Sequence, residues 1–429
     1  MMINSKKRNH ILEISFIVYG SIMIFYQLVP TIIIAFISLM FFIFAYMKLR
    51  HSYNLLETIS ILSIIGIPVS TISIIGGNHS SFPLTWHNFC ILLLLFLIFS
   101  RGKIKKEYFI AIVPFAIFEV VQCFFTPSFF NAFKQYLMIL LFLCSFLIGN
   151  TIKNSVNKKL NTALIQYYVI GTFCVAFQVF IQRMYIMVTG RIVGHYIVMG
   201  QGRVAYGGIM GDYSFATLYI ASGCLLILLR YLNTKQVNLT TFLIYEIILL
   251  GAMITISSRT GLVALVITVL LYLLFNFRRL SSRTMLVLFL GAISLPFIVN
   301  QIMASRGGQA LLETSGRTEN YVQALEYWSR KPFFGYGLGL DNLVSATQLG
   351  VPHNFFVQYL LQIGVIGVIL LLIPIVLFIR KEIIGGNNLK WMFWIIVIGS
   401  MFIPDIVSSR FLYGVVLLCM TSKKNINYS

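Results

Sequence analysis

His353 follows a proline and opens a long apolar run, while Arg203, Arg259 and Arg317 sit where polar segments interrupt lipid-preferring sequence. A neutral imidazole near pH 7 can take the proton from a hydroxyl nucleophile, and a guanidinium fork suits a phosphate oxygen pair. Arg259 lies in SSRTG (257–261), at a turn between two apolar runs where Gly261 permits close backbone approach. Arg203 lies in GRVAYGGIMGDYSFA, ahead of another span, and a helix N-terminus near Asp212 and Tyr213 is expected to offer amide donors to the same anion. Taken singly, each Arg reads equally well as an interfacial snorkel, and His353 as a helix-capping residue. Together they read as an anion site beside a base.

The longest polar stretch runs from Gly316 to Gly367. Within it Tyr321, Val322, Leu325 and Trp328 fall on one helical face, with Glu319 in the first turn and Pro332 as a stop, which predicts an amphipathic helix. Gly335, Gly337 and Gly339 alternate in GYGLG; a nucleotide loop would need a preceding strand and a βαβ unit, and neither is present in the pattern. Asn354 follows His353 at the start of the next span. His195, His79 and His87 lack organised surroundings. Glu57 lies near a span end and reads as a snorkel, whereas Glu119 and Glu246 lie deeper and are expected to serve function or to pair with buried cations. No metalloprotease, P-loop, EF-hand or Cys/His metal spacing occurs, and a paired-Asp motif is missing, so no metal and no cofactor is expected.

The elements that must position these residues are membrane helices. The chain has 429 residues, 59% hydrophobic and 10% charged, with a mean hydropathy of +0.89. Apolar runs of about 17 to 25 residues recur from end to end, whereas barrel strands would be short and alternating. The expected fold is an all-α polytopic transmembrane bundle of about fourteen spans, in a range of twelve to fourteen. Residues 1–429 read as one integral membrane domain, with 304–353 as a large extracytoplasmic loop before the third-last span. Lys6, Lys7 and Arg8 precede the first run without a cleavage signal and read as a retained span. The six cysteines are scattered in apolar runs and read as packing residues. The net charge of +20 would suggest nucleic acid in a soluble protein; here the positive-inside rule absorbs much of it and places both termini in the cytoplasm. The partner is the lipid bilayer, not nucleic acid.

Arg203 in a glycine-rich loop, S-x-R-T-G at a hairpin, G-R-T followed by W-x(3)-P-F-F-G-Y-G-L-G, and H-N-F-F-x-Q-x-L-L-x-x-G-x-x-G come in a fixed order. This order resembles the bacterial O-antigen ligase and polymerase superfamily, the Wzy/WaaL type, over about residues 200 to 375. The resemblance implies a metal-independent, inverting glycosyltransferase of the bacterial cytoplasmic membrane. Its active site would face the periplasm or cell exterior, and its donor would be an oligosaccharide on undecaprenyl diphosphate. By the same resemblance Arg203, Arg259 and Arg317 bind the diphosphate and His353 is the general base. Tyr321, Trp328, Gly335, Gly337, Gly339 and Asn354 belong to the substrate loop. A polymerase of O-antigen, capsular or exopolysaccharide repeat units is favoured, with a chain-length regulator and a flippase as candidate partners. The alternatives are a ligase that uses lipid A-core as acceptor, a transporter or flippase of a lipid-linked saccharide, and a non-catalytic scaffold. A transporter should carry its polar residues near the midplane, and here they gather toward one face.

Overall fold

The computed structural model describes residues 10–80, 82–102, 106–153, 158–198, 204–233, 237–276, 281–305, 317–384 and 389–422. In chain order its elements are α1 (His10–Ile22), α2 (Thr31–Arg50), α3 (Leu55–Ile65), α4 (Trp86–Ser100), α5 (Lys106–Cys123), α6 (Phe129–Lys153) and α7 (Lys158–Thr189). There follow β1 (Tyr196–Val198), β2 (Val204–Tyr206), α8 (Tyr213–Asn233), α9 (Leu239–Ile256), α10 (Arg259–Phe275) and α11 (Ser282–Ser305). The last are α12 (Arg317–Arg330), α13 (Leu340–Thr347), α14 (Phe355–Phe378), α15 (Lys390–Ser400) and α16 (Arg410–Thr421). Hydrocarbon offers no partner for a peptide group, so a chain this apolar closes its hydrogen bonds within helices.

Among the described residues seven helical segments are long and apolar enough to cross a membrane: His10–Leu28, Thr31–Arg50, Phe129–Lys153, Lys159–Thr189, Tyr213–Asn233, Leu239–Ile256 and Phe355–Ile383. Six shorter apolar helices, Leu55–Ile65, Trp86–Ser100, Arg259–Phe275, Ser282–Ile293, Lys390–Ser400 and Arg410–Thr421, accompany them. The protein is a polytopic helical membrane protein. The antiparallel pair β1 and β2, with Tyr196 opposite Tyr206, is a small hairpin between spans.

The chain divides into two compact units. The first comprises Met1–Cys90, Thr162–Glu313 and Trp394–Gly399; the second comprises Ile91–Asn161, Thr314–Phe393 and Ser400–Ser429. In the first, α8 is buried along almost its whole length, with α9 and α10 against it. Small residues allow the approach: Gly223 faces Thr172 of α7, and a Cβ on Gly261 would lie 2.3 Å from the carbonyl oxygen of Thr217. Tyr168 and Ser222 share a buried hydroxyl hydrogen bond of 2.7 Å.

In the second unit α6 lies against α16 and α5, and α14 against α5 and α12. Lys153 at the end of α6 meets Glu382 beyond α14 at 2.6 Å, a pair whose acid is only 5% exposed. The deep acids behave otherwise than the sequence suggests. Glu119 is fully buried, neither of its oxygens has a hydrogen-bond partner, and neither Glu119 nor Glu246 forms an ion pair among the described residues. Glu57 is not a snorkel but half of a capping box, exchanging hydrogen bonds of 3.0 Å with Asn54.

Candidate functional site

In the first unit two helix N-termini stand side by side. Thr217, in the first turns of α8, donates from its hydroxyl to Ser258 Oγ at 3.3 Å, and Ser258 is the residue from which α10 starts. The tight turn before it uses Ser257 in the left-handed region, at φ 62°. Arg259 is the first residue of α10 and is half-buried. The two N-termini differ in what they can still bind. Asp212 Oδ1 accepts from the amides of Ser214 at 2.5 Å and Phe215 at 3.2 Å, so the start of α8 already holds a carboxylate. The expected amide donors near Tyr213 are therefore taken by the protein itself. Ser258 makes no side-chain cap hydrogen bond at the start of α10, so the positive end of that helix is not capped by its own N-cap side chain.

The segment that leads to α8 is tied down by two glutamines of α7. Gln178 Oε1 accepts from the Ile209 amide at 3.4 Å, while its Nε2 donates to the carbonyls of Gly20 at 2.7 Å and Pro68 at 3.2 Å. Gln182 Nε2 donates to Val193 O at 2.7 Å and His195 O at 3.0 Å, while its Oε1 accepts from the Gly208 amide at 3.0 Å. Arg203, which precedes β2 in the sequence, lies outside the described residues. At the base of that hairpin burial holds the His195 imidazole below its ordinary value, against the opposing pull of the Asp212 carboxylate, and its Nε2 has no hydrogen-bond partner.

In the second unit the site builds around the start of α14. Asn354 is its N-cap, and Oδ1 accepts from the amides of Phe356 at 2.9 Å and Val357 at 3.2 Å. His353, immediately before, is half-buried, and its carbonyl accepts a 2.8 Å hydrogen bond from the Tyr321 hydroxyl on α12. Arg317 is the first residue of α12. The helix expected there is present, but its packed face differs. Ala324 is fully buried against Leu343 and Leu361, flanked by Tyr327 and Trp328, whereas Val322 and Leu325 are 55% and 46% exposed. The small Ala side chain permits the close approach. Trp328 Nε1 donates to Pro332 O at 3.3 Å, closing the turn that follows.

The glycine run has a structural task that its spacing did not disclose. Helix α14 is broken at Gly364, where φ is 61° and ψ is −174°. The segment 332–337 lies along the break and supplies the missing partners. Tyr336 N donates to Leu361 O at 2.8 Å and Gly337 N to Gln362 O at 2.7 Å; in return Val365 N donates to Pro332 O at 2.9 Å and Ile366 N to Phe333 O at 3.3 Å. Gly335, Gly337 and Gly339 all have positive φ. A Cβ on Gly335 would come within 2.5 Å of Leu361 O. Gly339 N donates to Gln135 Oε1 at 2.6 Å, and Gln135 exchanges hydrogen bonds with Gln362 at 3.0 and 3.2 Å.

Sequence reasoning missed this buried polar set and the residue that ends it, Asp405. Its backbone N donates to Gln358 Oε1 at 2.7 Å, and its Oδ1 accepts from the Tyr359 hydroxyl at 2.6 Å. Two glutamines four apart inside an apolar run, Gln358 and Gln362, were the available signal, since intramembrane polar groups are costly unless partnered.

His353 at the start of α14 and Arg259 at the start of α10 are carried on the helices of a polytopic membrane protein. Residues 244–372 match the family model described as O-antigen ligase. Over that segment the chain is similar to the O-antigen ligase family. The matched segment includes Arg259, Arg317, the α12 helix, the glycine run and His353; Arg203 and Asp405 lie outside it. No curated protein matches the chain.

Proposed function

We propose that the protein polymerises undecaprenyl-diphosphate-linked oligosaccharide repeat units into O-antigen, capsular or exopolysaccharide on the outer face of the cytoplasmic membrane. The observation that carries this reading is His353, one residue before a capped span and braced by Tyr321, within the segment that matches the O-antigen ligase model. His353 takes the proton of an acceptor sugar hydroxyl as that oxygen attacks the anomeric carbon of the donor. The bond from that carbon to phosphate breaks, its electron pair leaves with undecaprenyl diphosphate, and the configuration inverts. Arg203, Arg259 and Arg317 bind the diphosphate and stabilise its growing charge, the task a metal performs in other transferases. Tyr321, Trp328, Asn354, Gly335, Gly337 and Gly339 belong to the loop that meets the substrate.

The description of the matched family favours a second reading, a ligase whose acceptor is lipid A-core. Both are tested in one assay with purified protein in detergent, an undecaprenyl diphosphate oligosaccharide as donor, and either the same lipid or lipid A-core as acceptor. Chain growth with release of undecaprenyl diphosphate is expected. Glycosylation of lipid A-core without chain growth would replace polymerase by ligase; in a parallel assay with the protein reconstituted in vesicles, uptake with no new glycosidic bond would replace the enzyme by a transporter. His353→Ala is expected to lower turnover by about 10²- to 10⁴-fold, the usual range for loss of a general base. Full turnover in that variant removes His353 from the mechanism.

A further inference from the structure

We propose that Asp405, acting through Tyr359, is a positioning residue for His353; the inference rests on the reading of His353 as the base. The turn 401–405 is clamped to the first two turns of α14 at three points. Asn354 Nδ2 donates to Met401 O at 3.4 Å, Gln358 Oε1 accepts from Asp405 N at 2.7 Å, and Tyr359 donates its hydroxyl to Asp405 Oδ1 at 2.6 Å. Asn354 is both the N-cap of α14 and the neighbour of His353, so whatever fixes this turn fixes the backbone that carries the imidazole. Tyr321 holds the other side through the His353 carbonyl.

Two features mark Asp405 as more than filler. Its φ is 49°, in the left-handed region that a non-glycine residue adopts at a cost, and such outliers persist where the surroundings over-determine them. Its partner Tyr359 is 1% exposed, and Gln135 is the other side chain that hydrogen-bonds to both Tyr359 and Asp405, so without Asp405 the buried hydroxyl loses one of its two partners. Arg410, the first residue of α16, is the charged group that acts on Asp405 from the same segment. Asp405 lies outside the segment that matches the family model. It touches no proposed reacting atom; its effect travels through the helix start, where a displacement of about 1 Å costs on the order of 10²-fold in rate.

The test compares Asp405→Ala, Tyr359→Phe and Asp405→Asn in the full-length protein in detergent. Asparagine accepts the same hydrogen bond and tolerates the left-handed conformation. Asp405→Ala and Tyr359→Phe are expected to lower kcat by about 10- to 100-fold with the donor KM within about threefold, while Asp405→Asn stays within about threefold of wild type. Wild-type kcat in Tyr359→Phe, or an Asp405→Asn variant as impaired as Asp405→Ala, overturns the proposal. The second readout needs no turnover: the rate at which diethyl pyrocarbonate modifies His353, followed by mass spectrometry. That rate is expected to shift in Asp405→Ala and Tyr359→Phe and to be kept in Asp405→Asn. Equal rates in all four proteins overturn the positioning role, whereas absence of transferase activity in the wild type overturns only the reading of His353 as base. If Asp405→Ala does not fold, Tyr359→Phe, which loses one hydroxyl, decides.

Discussion

At Gly364 a methyl group would sit 2.2 Å from the carbonyl oxygen of Phe333, on a backbone with φ at 61°. No side-chain movement relieves a contact with backbone, so Gly364→Ala is expected to destabilise the protein by about 2 kcal/mol or more, read as a lowered unfolding midpoint in detergent. The motif H-N-F-F-x-Q-x-L-L-x-x-G-x-x-G contains this glycine, but the break at it was not legible, because an apolar run with a glycine in it reads as continuous helix and the partners of the break come from the earlier segment 332–337. His353, by contrast, was legible: a proline, a histidine and an asparagine ahead of an apolar run form a recognisable helix start, and Asn354 caps it. The His195 imidazole supports a pH prediction. Burial lowers its folded-state value, so the unfolded chain binds the proton more readily than the folded one. That stability is present above the unfolded value of about 6.5 and is lost as the pH falls through 6.5 and below. His195→Gln should flatten the dependence of the unfolding midpoint between about pH 7.5 and 5.5.

Among the elements, α14 departs furthest from expectation. The sequence suggests one span from His353 to Arg380; the structure shows two half-helices stitched by the glycine segment, with Gln135 of α6 holding both Gly339 N and Gln362. Gln135→Leu removes those partners while keeping the volume, and a buried donor left alone costs about 1–3 kcal/mol. Its unfolding midpoint should fall, whereas Leu substitutions on lipid-exposed positions of α2, such as Phe36, should not move it. The α12 helix was legible in position, from Glu319 in its first turn to the proline stop. Its packed face was not, since apolar moment points equally to protein and to lipid, and only Ala324 distinguishes the side that comes close.

For the whole molecule, composition was the most informative property: run length and hydropathy yield the helical membrane class directly, and seven segments meet both criteria among the described residues. Charge placement yields an orientation as an expectation, with 304–353 outside. Leu340→Cys tests it, because Leu340 is 37% exposed and Cys90, Cys123, Cys174, Cys224 and Cys419 are buried, with Cys144 half-buried, so background labelling is low. An impermeant maleimide added to intact cells is expected to label position 340; labelling only after the membrane is opened would invert the orientation. What the sequence could not show is long-range pairing such as that of Asp405 with Tyr359, 46 positions apart.

The stitched helix also constrains how the chain enters the bilayer. Two carbonyls and two amides at the break would each cost several kcal/mol if the span met hydrocarbon alone. Residues 332–337 precede α14, so the ribosome delivers the stitching segment to the translocon before the span that needs it. Biogenesis of this span is then a docking step onto chain already made, not a simple partitioning of an apolar segment.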